Sequence, residues 1–87
     1  MRHPETEVGL VHWFEAVQEA EWQTMQDVVS GLSGTKVLNG ERARFAIHGG
    51  NYRLIAAFDF RRGIVYIKFL GTHAEYDRIN ALTIAQF

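Results

Sequence analysis

From Arg42 onward the sequence adopts a two-residue period, and that change restricts the fold more than any other feature. In RARFAIH, residues 42–48, Phe45 and Ile47 alternate with Arg44, Ala46 and His48. This is the repeat of a strand with one apolar face and one polar face. HGGN supplies a turn, NYRLIAAFDF a second strand, RRG a second turn and IVYIKFL a third strand. Glycine tolerates the positive φ that tight turns demand, and connections this short join antiparallel neighbours. The segment therefore predicts an antiparallel meander of about three strands.

The N-terminal part has the helical period instead. Leu10, Trp13, Phe14 and Val17 fall at i, i+3, i+4 and i+7, with His12, Glu15 and Glu19 on the other side. Pro4 suits a first helical turn, whereas Gly9 weakens the early turns by about 1 kcal/mol relative to alanine. Thr24-x-x-Asp27 before Val28 and Val29 predicts an N-capped short second helix. SGLSGT, residues 30–35, is a loop by composition. After Leu70, Gly71 and Thr72 lead into one or two helical turns holding His73 to Asp77. The tail ALTIAQF is compatible with helix, strand or disorder. Helices grouped before an antiparallel sheet give an α+β fold, with the helices on one face and the polar face expected to be open.

At 87 residues the chain makes one domain, residues 1–87, that buries only about 60–65% of its unfolded surface and gains from a partner. It has no cysteine, which excludes disulfides, thiol nucleophiles and thiolate metal sites. No apolar run approaches the roughly 18 residues of a membrane span, and the N-terminus lacks the apolar core of a signal peptide. A cytoplasmic protein with no membrane association is expected.

The net charge of −1 conceals an asymmetry. Residues 1–27 hold six acids and one base, whereas residues 28–87 hold eight bases and four acids. A basic face attracts polyanions, although the same distribution suits two solvated faces. On the polar side of the meander, Arg44 and His48 come from the first strand and Arg53 from the second. Lys68 comes from the third, on one face with Ile64 and Tyr66. His73 and Tyr76 follow at a spacing that makes them neighbours on a helical turn.

This set suits RNA cleavage without a metal or cofactor. The ribose 2′-OH attacks the adjacent phosphate, so the protein has to remove its proton, protonate the leaving 5′-oxygen and stabilise the charge between. A positioned donor such as arginine or lysine is worth on the order of 3–4 kcal/mol there. Histidine exchanges protons near neutrality, for roughly 10²–10⁴ in rate. Tyrosine stacks on a splayed base or assists proton transfer beside cations. Structural readings stand beside these: Arg44 as a solubilising residue, Arg53 paired with Asp59 or Glu75, His73 as a satisfied loop residue and Tyr76 closing the core. His48 and His73 have no local partner at metal-ligand spacing.

The order of residues in NYRLIAAFDFRRGIVYIKFLGTHAEYDRIN resembles the C-terminal half of the HigB-type toxins of bacterial toxin–antitoxin pairs. The matching residues are Phe45, Gly49–Gly50, Tyr52-Arg53-Leu54-Ile55, Lys68-Phe69-Leu70 and Gly71-Thr72-His73-Ala74-Glu75-Tyr76-Asp77. HPETE, HWFEAV and AEW are similar to the family's helical half, so the resemblance runs from about His3 to Ile84. It implies a RelE-like fold, cleavage of mRNA on the ribosome, and neutralisation by a HigA-like helix-turn-helix antitoxin, with operator DNA reached only through that antitoxin. By position, Arg53, His73 and Tyr76 would be catalytic, and Arg44, His48 and Lys68 would bind RNA. The sequence opens at MRHPETE, inside the family's first helix, so the family's N-terminal strand is not represented and an open sheet edge is expected. Such an edge invites pairing with the tail of a neighbour or with the antitoxin. A non-catalytic RNA- or antitoxin-binding module of the same fold is the alternative, and a structural oligomerisation domain a third reading.

Overall fold

Strand β3, Tyr52–Asp59, organises the molecule, because residues on both of its faces are apolar and buried. The computed structural model describes residues 7–32, 34–47 and 50–87. Within them, helices α1 (Glu7–Glu19) and α2 (Met25–Gly31) precede strands β1 (Thr35–Val37), β2 (Arg42–Ile47), β3 and β4 (Ile64–Thr72). A single turn, α3 (His73–Tyr76), follows. All neighbouring strands are antiparallel, in the order β1-β2-β3-β4. This is the expected α+β arrangement with one strand more than the period alone predicts.

The local devices are those the residue types favour. Thr24 caps α2 with a capping box, its hydroxyl accepting from Asp27 N while the Asp27 carboxylate accepts from Thr24 N. Between β1 and β2 the Asn39 side chain accepts from the backbone of Glu41 and Arg42 at 2.8 and 2.7 Å. Gly50, at φ 93°, turns the chain from β2 into β3.

One face of the sheet carries the main core. Ala43, Phe45 and Ile47 of β2 lie opposite Ala56, Leu54 and Tyr52 of β3, all buried. Trp13 meets Phe45 edge-on at a centroid distance of 5.4 Å, and Phe45 meets Phe58 at 6.2 Å. Leu10, Val17 and fully buried Val28 complete this layer. Phe14 does not join it as the helical stripe predicts. It is 55% exposed and lines an apolar groove between α1 and β4 with Ile67, Leu70 and Phe87.

The other face is not open, contrary to the sequence-based expectation. Ile55 is fully buried there, and Ala57 and Phe69 nearly so. The tail covers it. Arg42, on the same face, donates from Nη1 to the carbonyls of Ala81 and Ile84 at 3.1 and 2.9 Å. The chain then reaches the outer edge of β4, where Gln86 N donates to Lys68 O at 2.9 Å and Leu70 N to Gln86 Oε1 at 2.8 Å. At this point of β4 the outer edge is met by the chain's own tail.

Replacing Phe45 by alanine empties the contact shared by Trp13, Phe58 and the sheet. Phe45→Ala should lower unfolding stability by about 3–5 kcal/mol, measured by urea denaturation. A loss below about 1 kcal/mol would contradict this account of the core.

Candidate nucleic-acid interface

The strand register decides which cations meet. Arg44 lies opposite Ile55, and Arg53 lies opposite Ala46 and Gly71, so Arg44 and Arg53 are diagonal neighbours on one face. Such positions are roughly 7–8 Å apart. Both side chains are half-buried, and the Nε of each is buried without a hydrogen-bond partner among the described residues. Nη1 of Arg53 donates to the carbonyls of Gly50 and Tyr52. Neither Asp59 nor Glu75 is among its described partners; Asp59 pairs with Arg62 at 3.7 Å instead.

His73 is carried to the same end of the sheet by the last pairs of β3 and β4. Tyr52 lies opposite Thr72, and His73 N donates to Asn51 O at 3.0 Å. Thr72 closes a capping box with Glu75, which starts α3 at His73. The imidazole is exposed, with Nδ1 3.1 Å from Asp77 Oδ2, so Nε2 is left for other contacts. Tyr76 is half-buried, its ring 6.4 Å from that of Phe69 on the Arg53 face.

Lys68 meets Tyr66 as expected, at a register that alternation does not show. Ile55 lies opposite Phe69, but Ala56 lies opposite Ile67, so Lys68 is the extra residue of a β-bulge. The bulge lets Tyr66 and Phe69 both share the face of Arg53. Lys68 Nζ sits 5.4 Å from the centre of the Tyr66 ring, a cation–π contact near the middle of β4 rather than at its His73 end. His48 lies outside the described residues.

Two residues of this face escape sequence reasoning. Arg42 is taken up with the tail, a contact across about half the chain that no local pattern announces. Lys36 lies opposite Arg44, on the same face, once β1 is recognised. The Asn39-Gly40 pair was the available sign of that hairpin. Among the described residues no group of three or more His, Asp or Glu is placed to hold a metal ion, and no helix is long and apolar enough to cross a membrane.

In this α+β domain Arg44 and Arg53 are neighbours on one face of the sheet, and a histidine and a tyrosine stand on the turn that follows it. The sequence matches the family described as HigB_toxin, RelE-like toxic component of a toxin-antitoxin system, over residues 6–79. The chain therefore belongs to the HigB toxin family, and membership implies an antitoxin partner. Comparison with curated proteins returned no match.

Gly71 is required by packing at this site. A Cβ there would lie 2.7 Å from Phe69 Cζ and 2.9 Å from Glu75 Oε1, the oxygen that accepts from Thr72 N. Gly71→Ala should cost about 1–3 kcal/mol by overpacking and change the near-ultraviolet circular dichroism of the Phe69–Tyr76 contact. An unchanged spectrum and stability would show that this packing is not tight.

Proposed function

We propose that this toxin is a metal-independent endoribonuclease that cleaves mRNA on the ribosome, stops translation and is neutralised by a HigA-like antitoxin. The observation that carries the reading is that Arg53, opposite Gly71 near the end of the sheet from which His73 and Tyr76 emerge, has Arg44 as its diagonal neighbour on the same face. Family membership supports it independently.

In this mechanism the 2′-oxygen of the ribose attacks the neighbouring phosphorus, and its proton passes to a base on the protein. The bond from phosphorus to the 5′-oxygen breaks, and that oxygen receives a proton, leaving a cyclic phosphate and a free 5′-hydroxyl. His73 and Tyr76 divide the two proton transfers. The Asp77 carboxylate at Nδ1 orients the imidazole and keeps Nε2 toward the substrate. Arg53 stabilises the charge of the phosphorane. Its Nη1 is anchored to the Gly50 and Tyr52 carbonyls, so the guanidinium is fixed before charge develops and Nη2 is the nitrogen left to donate to the phosphate. Arg44 holds the RNA backbone beside it, with His48 and Lys68 as further RNA contacts. Operator DNA is reached only through the antitoxin, and the site of action is the cytoplasm.

Induced expression should arrest bacterial growth and shorten mRNA, with ribosome-bound message as the substrate. Arg53→Ala should lower the cleavage rate about 10²–10³-fold, and His73→Gln about 10²–10⁴-fold. RNA binding without cleavage by the parent chain would replace this reading with a non-catalytic binding module. Undiminished toxicity of both variants would exclude the assigned roles.

A further inference from the structure

The structure assigns strand β1 to the RNA site: we propose that Lys36, with Arg44, grips a backbone phosphate next to the one that is cleaved. The inference rests on the ribonuclease reading above and adds a residue that neither spacing nor family likeness singled out.

The register carries the argument. Gly34 O accepts from Ala46 N and Arg42 O from Leu38 N, so the pair between them, Lys36 and Arg44, is of the hydrogen-bonded kind. In such a pair the Cα atoms lie about 5.5 Å apart with both side chains on one face. Like charges in directly opposed positions repel and destabilise a sheet unless something neutralises them. Among the described residues neither has a carboxylate partner, and Arg44 Nε is buried without a hydrogen-bond partner there. Two adjacent cations without a counter-charge, one of them only partly solvated, form a site for an anion bound from outside.

Position then identifies the anion. Lys36 lies opposite Arg44, and Arg44 is diagonal to Arg53, whose opposite residue Gly71 is two before His73. The cations therefore step across three strands toward the candidate cleavage point, at intervals of roughly 5–8 Å. None of the tail's hydrogen bonds among the described residues is to Lys36, Arg44 or Arg53. The tail is tied to Arg42, two residues further from the His73 end than Arg44, and to the Lys68–Leu70 edge of β4. A chain of regularly spaced phosphates fits such a row better than a single small anion, and the ribose phosphate backbone is the polymer that the site is read to cut.

Binding of the full chain to a short labelled single-stranded RNA is measured as a function of salt, in a His73→Gln background that leaves the RNA intact. Loss of one phosphate contact should make the slope of log K against log salt shallower by about 0.7, or about fivefold in affinity at 0.1 M salt. Lys36→Ala should show that change and Lys36→Arg should reverse it, while Arg62→Ala, in the β3–β4 turn, should not. With His73 restored, the loss from Lys36→Ala should fall on KM rather than kcat. Lys36 is exposed, so the thermal midpoint should be retained. Weaker binding by Arg44→Ala and Arg53→Ala with none by Lys36→Ala would overturn the role of β1 and leave the ribonuclease reading standing. Binding unaffected by all three would overturn both.

Discussion

The structure depends on covering β3 from both sides. Leu54, Ala56 and Phe58 face α1 and α2, while Ile55 and Ala57 face the opposite way, and all five are buried. A strand of that kind is stable only between two layers. The N-terminal helices form one. On the other side Tyr76 of α3 packs near Phe69, and the segment after α3 is drawn over the face by Arg42. The run LIAAF in the second strand already departs from alternation, so the demand for a second cover was present in the residues. What local pattern lacked was the identity of the cover, because the Arg42 contact joins segments about 40 residues apart.

The same distinction runs through the rest of the fold. The α2 cap, the glycine turn at Gly50 and the cap of α3 are set by residues within a few positions of one another, and each was legible. Strand β1 was not, because TKV is too short to show a period and follows a stretch with loop composition; its pairing with β2 makes it a strand. Phe14 sits at a helical position that period assigns to the core, yet α1 meets the sheet along Trp13, and Phe14 is left at the rim of the groove beside β4. Lys68 meets Tyr66 as alternation expected, whereas the one-residue bulge that brings Phe69 onto the same face as Tyr66 could not be counted from the sequence.

Candidate site residues were legible by type and only partly by position. Arg44 and Arg53 belong to strands the period defines, so alternation set each on the polar side of its own strand, while their shared face and diagonal relation needed the register. His73 and Tyr76 were fixed by the cap that begins α3, again a local device. The contact of His73 with Asp77 is of the same local kind, four residues apart on a turn.

Charge segregation along the chain becomes a difference between layers. The acids of residues 1–27 that the structure describes, such as Glu15, Glu19 and Asp27, are exposed on the helical layer or the loop beside it. The cations of the later strands, Lys36, Arg42, Arg44 and Arg53, share the far side of the sheet. A net charge of −1 therefore says little about what the molecule attracts. An anion approaching the helices is repelled and one approaching the sheet is drawn in, so the fold converts a nearly neutral sequence into a surface with a direction. Screening limits that effect to about a Debye length, near 8 Å at physiological salt. Near cations therefore count most: Arg53, opposite Gly71, and Arg44, diagonal to it, stand closer along the strands to the turn that carries His73 than Arg62 does, on the β3–β4 turn at the far end.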